Sequence, residues 1–182
     1  NVANRYVVAT GGLESGIPVE KTHRFELTTQ TWQQLPDMNV ARSHHASCSL
    51  DGNVYVFCGQ DRNQEPLNSI EVLEDTASNL DLIEAWKLIR VADTILFPRS
   101  SPGVAPLNDN EIVVMGGFGG EPSDEEGPLG DVVIFDVEQR SCTKVVNNLV
   151  GLLQFTVEGN QTARVGTDSV LALVSAHPGS RA

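Results

Sequence analysis

Three short apolar segments, each ending at a glycine, recur along the chain at 5–12, 53–59 and 111–117. Each is rich in β-branched residues and apolar on both faces, which predicts a strand buried on both sides of a sheet. A residue pair marks the end of each segment, and the pairs are Gly11-Gly12, Cys58-Gly59 and Gly116-Gly117. The second members of these pairs lie 47 and then 58 residues apart.

Two further markers recur at a similar interval. Trp32 and Trp86 lie 54 residues apart, and Cys142 stands where a third tryptophan would fall. Arg-Ser pairs occur at 42–43 and 99–100. Because three markers share one period, the chain is predicted to consist of internal repeats of roughly 50 residues.

Each repeat contains four candidate strands. The run at 45–50 precedes Asp51-Gly52, a favoured two-residue hairpin turn, so it pairs with the glycine-ending strand that follows. Third strands are predicted at 23–27, 69–73 and 131–135, and fourth strands at 31–35, 84–89 and 141–146. Four antiparallel strands per unit are typical of a β-propeller blade, so the predicted fold class is all-β.

The combined markers resemble the kelch repeat. The first repeat has the glycine doublet, an apolar residue (Phe25) seven residues before Trp32, and Met38 four residues before Arg42. The resemblance implies a kelch-type β-propeller of about three four-stranded blades plus a degenerate partial blade, which is an incomplete ring. The repeats span approximately 1–41, 42–98 and 99–151, with a partial repeat at 152–175 and a tail at 176–182. Cys58, Cys142 and the lack of a doublet after 170–173 depart from the pattern.

Propellers close with about four to eight blades, so three repeats do not make a closed ring. We expect further blades from a longer chain, or from another subunit, to complete it. The total blade number and any fused adaptor domain stay open. The isolated chain is expected to aggregate or oligomerise.

The resemblance also implies roles for the repeated residues. The arginines lie at the start of the innermost strand, where the kelch family often has a basic, polar rim to its channel. This predicts partner contacts, favouring a carboxylate-bearing segment, from Arg42, Ser43, His44, Arg99 and Ser100. The alternative is that each arginine pairs with a carboxylate of its own blade. Structural roles are predicted for Gly11, Gly12, Trp32, Cys58, Gly59, Trp86, Gly116 and Gly117, with the tryptophans filling the wedge between blades.

Charge and composition limit the classes of partner that we expect this chain to bind. The 182-residue chain has 12 basic and 24 acidic residues, a net charge of −12, which argues against nucleic acid or an anionic membrane as partner. No apolar run approaches the ~18 residues of a membrane span. Three cysteines, an odd number, indicate reduced thiols and a cytoplasmic protein. No cofactor is predicted.

Two functions are compared. The favoured one is a non-enzymatic scaffold that binds another protein through the loops on one face of the propeller. The alternative is a copper- or iron-dependent enzyme on a kelch-like propeller. His44 and His45 lie near Cys48 and Cys58, but adjacent strand residues point to opposite faces and do not share one metal site. An acidic loop (Glu121, Asp124, Glu125 and Glu126) is interpreted as solvated, or as a contact for a basic partner.

Overall fold

The computed structural model describes residues 5–74, 83–91, 95–120 and 127–146, and the strands Gln161–Val165 and Ser169–Leu173. Every regular element assigned in these residues is a β-strand, and all the strand pairs are antiparallel. The all-β prediction is therefore confirmed.

The strands form three successive sheets, which we call blades 1, 2 and 3. Blade 1 contains β1 (Tyr6–Thr10), β4 (Thr22–Glu26) and β5 (Thr31–Leu35), and a short hairpin of β2 (Leu13–Glu14) and β3 (Ile17–Pro18) lies between β1 and β4. Blade 2 contains β6 (Ala46–Leu50), β7 (Asn53–Phe57), β8 (Ile70–Leu73) and β9 (Lys87–Ile89), in that order.

Blade 3 repeats the order of blade 2 with β11 (Gly103–Pro106), β12 (Glu111–Met115), β15 (Val132–Asp136) and β16 (Ser141–Val146). A small second sheet beside it contains β10 (Arg99–Ser100), β13 (Phe118–Gly119) and β14 (Gly127–Pro128). A final hairpin pairs β17 (Gln161–Val165) with β18 (Ser169–Leu173). The predicted third and fourth strands are present within one to three residues of their expected limits. The repeat boundaries themselves stay a prediction.

Local sequence explains the tight hairpin of blade 2. Asp51 and Gly52 both have positive φ, 48° and 76°, as a two-residue turn of the favoured hairpin type requires. The turn aligns Leu50 with Asn53 and fixes the register of β6 against β7. That register turns Val54 and Val56 toward blade 1, and Tyr55 and Phe57 toward blade 3.

Neighbouring blades pack face to face. The innermost strands β6 and β11 lie side by side, and β17 lies beside β11. One apolar cluster joins blade 1 to blade 2, and its members include Tyr6, Leu35, Met38, Val56, Leu73 and Trp86. A second cluster joins blade 2 to blade 3, and its members include Phe57, Ile70, Val72, Ile112, Val114 and Phe135. Each fully buried aliphatic or aromatic side chain contributes about 1.5–3 kcal/mol, so these two clusters are the core of the molecule.

The outer face of blade 1 differs from the prediction. Val7 is 43% exposed and Trp32 is 59% exposed, although β1 was expected to be buried on both faces and Trp32 to fill a wedge. Their counterparts Val54 and Trp86 are both 4% exposed because blade 1 covers them. In the described residues no sheet covers the corresponding face of blade 1, which explains the exposure of Val7 and Trp32.

Candidate functional site

Each arginine of the Arg-Ser pairs joins two blades through its backbone. The Arg42 N–H donates to the Val19 carbonyl at 3.2 Å, and its carbonyl accepts from the Gly12 N–H at 2.9 Å. Both partners belong to blade 1, whereas Arg42 leads into the first strand of blade 2. Arg99 makes the same two bonds to blade 2, through the Leu67 carbonyl and the Gly59 N–H.

The Arg42 side chain then enters its own blade. Its guanidinium donates to the Cys58 carbonyl at 2.8 Å, to the Ser69 carbonyl and hydroxyl at 3.2 Å, and to Oε1 of Glu71 at 2.7 Å. The side chains of Arg42 and Glu71 are both 0% exposed. The Glu71 carboxylate also accepts from the Asn39 N–H and Nδ2 and from the Val40 N–H, so the pair holds the whole segment that leads into blade 2.

Arg99 forms the corresponding pair in blade 3 with a different carboxylate. Its Nη1 and Nη2 donate to the two oxygens of Asp131 at 2.6 and 2.8 Å, and Nη1 also donates to the Gly116 carbonyl. A buried guanidinium fork that meets a carboxylate with two parallel bonds is the strongest form of this interaction. We call Arg42–Glu71 and Arg99–Asp131 the arginine clamps, because backbone and side chain hold adjacent blades together.

Most of the predicted partner-binding residues are buried, because they belong to the arginine clamps or lie next to them. Arg42 and Arg99 are completely buried, so the structure shows the alternative in which each arginine pairs within its own blade, and the expected basic rim is absent at these two side chains. Ser43 and Ser100 are also buried, and the Ser100 hydroxyl donates to the Phe118 carbonyl. His44 is the exposed member of the predicted set, and a partner contact by His44 stays a prediction.

In blades 2 and 3 the second glycine of the doublet lies where a crossing backbone leaves no room for a side chain. A Cβ at Gly59, whose φ is 97°, would lie 2.6 Å from the Ser43 carbonyl oxygen, and one at Gly117 equally close to that of Ser100. In blade 2 the first position of the doublet accepts a side chain, since Cys58 keeps the left-handed φ of 59° and is fully buried. This geometry explains the glycine at 59 and at 117, whereas a Cβ at Gly12 would meet no atom within 4 Å in the described residues.

Trp86 and Cys142 occupy the same position in successive blades, and both are buried against the preceding blade. Trp86 lies just before β9 and donates its Nε1–H to the Pro36 carbonyl of blade 1 at 2.9 Å. Trp86 therefore packs between blades 1 and 2. Trp32 contacts Phe25, with 5.1 Å between ring centroids, but is otherwise open to solvent.

The residues considered for metal binding do not form a cluster. In the described part of the chain no group of three or more His, Cys, Asp or Glu side chains is placed to hold a metal ion. Burial raises the pKa of Cys48 to about 12 and that of Cys58 to about 11, so both thiols stay protonated at neutral pH. Metal ligation needs the thiolate, which this burial disfavours.

His45 instead joins blades 1 and 2. Its Nε2 lies 3.0 Å from the Thr10 hydroxyl, and its Nδ1 is buried without a hydrogen-bond partner in the structure. Burial, helped by the Arg42 charge, lowers the pKa of His45 to about 4, so the ring is neutral at pH 7.

The loops between second and third strands share one face of the blades with the segments that connect successive blades. We call this surface the loop face. It carries exposed apolar side chains: Leu13 is 55% exposed, Ile17 is 56% exposed, and Phe118 is 39% exposed. Leu13 and Phe118 both directly follow a glycine doublet. The acidic residues Glu121, Asp124, Glu125 and Glu126 lie outside the described residues.

The carboxylates of the clamps were missed from the sequence. Glu71 is on β8, whereas Asp131 precedes β15, so the two carboxylates sit two positions apart in the repeat. Both arginine-bearing repeats have an acidic residue near the third strand, and this shared feature could have indicated the partners of the arginines.

Residues 41–76 match the Kelch motif, and this span contains the Arg42 clamp, the Cys58-Gly59 pair and Glu71. This part of the chain is a kelch repeat. Kelch-repeat proteins generally mediate protein–protein interactions. In the described part of this kelch-repeat chain no helix is long and apolar enough to cross a membrane.

The chain is similar to parts of three longer proteins. It is 31% identical to alpha-scruin of Limulus polyphemus over 59% of its own length, and 34% identical to a Kelch repeat and BTB domain-containing protein 2 of cowpox virus over 59%. It is 25% identical to Ras guanine nucleotide exchange factor F of Dictyostelium discoideum over 68% of its length. The matched regions span 11%, 21% and 10% of these three proteins, respectively.

Proposed function

We propose that this chain is a non-enzymatic interaction domain whose loop face binds another protein. The observation that carries the proposal is the set of exposed apolar side chains at Leu13, Ile17 and Phe118 on a rigid scaffold. Binding residues are often placed on loops that a rigid framework positions, and here the arginine clamps fix the loop bases. Exposed His44, near the innermost strand, lies on the same side as these loops.

The charge of the loop face indicates the chemistry of the partner. Both clamp arginines are neutralised by buried carboxylates, so they add no positive potential at the surface. Among the exposed groups, Lys21 is paired with Glu14 and Arg62 with Glu20, while Glu65 is exposed and carries a negative charge. With a net charge of −12 for the chain, a basic segment with apolar side chains fits this face better than the carboxylate-bearing segment first expected.

A pair of matched variants tests this role. Leu13 on the loop face and Leu27 on the opposite end of blade 1 are 55% and 44% exposed, so Leu13→Ser and Leu27→Ser perturb the fold to a similar small extent. A photo-crosslinker at position 13 identifies the partner, and calorimetry with the purified partner then measures affinity. We expect Leu13→Ser to weaken binding by about tenfold and Leu27→Ser to leave it unchanged. Equal affinities of both variants would reject the loop face as the binding site.

The open face of blade 1 supports a second part of the proposal, which is that further blades cover it. Val7, Phe25 and Trp32 align across β1, β4 and β5, and they correspond to Val54, Leu73 and Trp86, which blade 1 buries. These blades come from the rest of a longer chain or from another subunit. Sedimentation of the 182-residue chain tests this, since an isolated chain with this face open should self-associate.

The setting proposed is the cytoplasm, where reduced thiols persist. All three cysteines are free, and burial keeps them as thiols. Imaging of a fluorescent fusion of the complete protein tests this location. Metal analysis of the purified protein tests the copper or iron enzyme alternative, and a stoichiometric metal would support that alternative.

A further inference from the structure

Buried polar atoms without a hydrogen-bond partner are concentrated where blade 1 packs on blade 2. Within the described ranges there are three such side-chain atoms, and they are Thr22 Oγ1, Arg42 Nε and His45 Nδ1. Thr22 belongs to β4 of blade 1, whereas Arg42 and His45 lie in the segment that leads into β6 of blade 2. In folded proteins the large majority of buried polar side-chain atoms have a protein or water partner, so this concentration points to a bound molecule.

Two threonine hydroxyls and one imidazole come together at this place. Thr10 and Thr22 are directly opposite each other on β1 and β4, and Nε2 of His45 lies 3.0 Å from the Thr10 hydroxyl. Directly opposite residues of an antiparallel pair have Cβ atoms about 4.5–5.5 Å apart, so the Thr22 side chain lies next to the contact between Thr10 and His45. Thr22 is completely buried. We call Thr10, Thr22 and His45 the polar junction.

The packing of blade 2 on blade 3 has apolar residues at the same three positions. Phe57 and Ile70 are the equivalents of Thr10 and Thr22, and both are fully buried in the apolar cluster between these blades. Pro102 follows Arg99 by three residues, as His45 follows Arg42. Two threonines fill less volume than a phenylalanine and an isoleucine, and the imidazole takes up only part of the difference. The polar junction therefore combines polar groups with room for a small ligand.

The charges around the polar junction favour a neutral ligand. Arg42 is paired with Glu71 at 2.7 Å, and the pKa of His45 is lowered to about 4 by burial and the Arg42 charge, so the ring is neutral at pH 7. An ion bound here would have no countercharge. In one tautomer of the neutral ring Nδ1 donates a hydrogen bond and in the other it accepts one. Water fits both, and it also fits a hydroxyl that can donate or accept.

We propose that the polar junction binds a water molecule, which bridges Oγ1 of Thr22 in blade 1 to Nδ1 of His45 in blade 2. Buried waters typically make about three hydrogen bonds. The carbonyls of Thr10 and Arg42 lie close to the imidazole ring and offer further acceptors. The water and the bond between Thr10 and His45 together connect both strands of blade 1 to one side chain of blade 2. The site lies between the blades and not on the loop face, so this inference goes beyond the proposed function and fails independently of it.

Crystal structures of the chain at a resolution that shows ordered waters test the site directly. Thr22→Val keeps the shape of the side chain and removes the hydroxyl, whereas Thr22→Ser keeps the hydroxyl and removes the methyl group. We expect an ordered water between Thr22 and His45 in the unchanged protein and in Thr22→Ser, and none in Thr22→Val. Lack of an ordered water in the unchanged protein, or the same water in Thr22→Val, would overturn the proposal.

The direction of a stability change gives an independent test. If a water bridges the hydroxyl, Thr22→Val takes away one of its partners and should lower the melting temperature by about 2–4 °C. If the hydroxyl is buried without any partner, the same change removes an unfavourable group and should raise the melting temperature. Thr28→Val is the matched control because Thr28 is exposed, and it should change the melting temperature by less than about 1 °C. A rise for Thr22→Val, or a change equal to that of Thr28→Val, would contradict the bridge.

Discussion

The Arg42–Glu71 clamp leads to a strong prediction about stability. Arg42→Ala removes four hydrogen bonds from a guanidinium that is 0% exposed and leaves the buried Glu71 carboxylate without its countercharge. Removing one member of a buried pair costs about 3–5 kcal/mol. For a chain of this size that loss lowers the melting temperature by roughly 6–20 °C.

Urea and thermal unfolding, followed by circular dichroism at one protein concentration, measure this loss. Arg62→Ala is the matched control because Arg62 also bridges blades 1 and 2, but its side chain is 57% exposed and pairs with Glu20 at the surface. An exposed pair of this kind contributes about 0–1 kcal/mol. Replacing both clamp residues by apolar ones, Arg42→Met with Glu71→Leu, should restore only part of the stability, because no charge is left buried but the N–H groups of Asn39 and Val40 lose their acceptor.

The reasoning is refuted if Arg42→Ala and Arg62→Ala have the same urea midpoint and the same melting temperature. Loss of partner binding by Arg42→Ala at unchanged stability would show, in addition, that the arginine acts at the surface as the sequence first suggested. That outcome would require the guanidinium to leave the interior that the structure gives it.

Three further changes have defined outcomes. Gly59→Ala should lower the free energy of unfolding by about 2 kcal/mol or more, because its Cβ would lie 2.6 Å from a carbonyl oxygen. Cys58→Gly should change the free energy of unfolding by less than about 1 kcal/mol. Equal urea midpoints of the two variants would contradict this. The pKa of His45 is lowered to about 4 in the folded state, so the unfolded state binds the proton first and stability falls as the pH drops from 6.5 toward 4. The loss between pH 7 and 5 is about 2 kcal/mol, and His45→Gln should abolish it. Acrylamide should quench Trp32 in preference to Trp86 in single-tryptophan variants of the monomer, and equal quenching would place both rings in the same environment.

The strands and their order could be predicted from the sequence, because the glycine doublets and the apolar runs depend on local backbone geometry. Whether the two arginines are buried in ion pairs or exposed to a partner could not be predicted from the same pattern. Their partners Glu71 and Asp131 stand at different positions of the repeat, so no single spacing connects an arginine to its carboxylate. The exposure of Trp32 was also hidden, because burial at that position depends on a neighbouring sheet rather than on the repeat that contains the residue.

The contact between His45 and Thr10 shows the same limit in another form. The two residues lie in different blades, and only the packing of blade 1 on blade 2 brings them together. Their approach depends on the absence of a side chain at Gly11, where a Cβ would lie 2.8 Å from the His45 ring. Sequence periodicity identifies the glycine, but not the side chain that uses the space.

The clamps also define which stretch of chain behaves as an exchangeable cassette. Arg42 and Arg99 each have a backbone bonded to the blade before and a side chain bonded within the blade after. An in-frame deletion of residues 42–98 would join Ala41 to Arg99 and bring the backbone of Arg99 to Gly12 and Val19, while its side chain kept Asp131. A cut placed between the doublet and the carboxylate of the clamp would instead separate an arginine from its partner and leave a buried charge. We therefore expect gain or loss of a whole blade to be tolerated best when the junction falls after one clamp carboxylate and no later than the next clamp arginine.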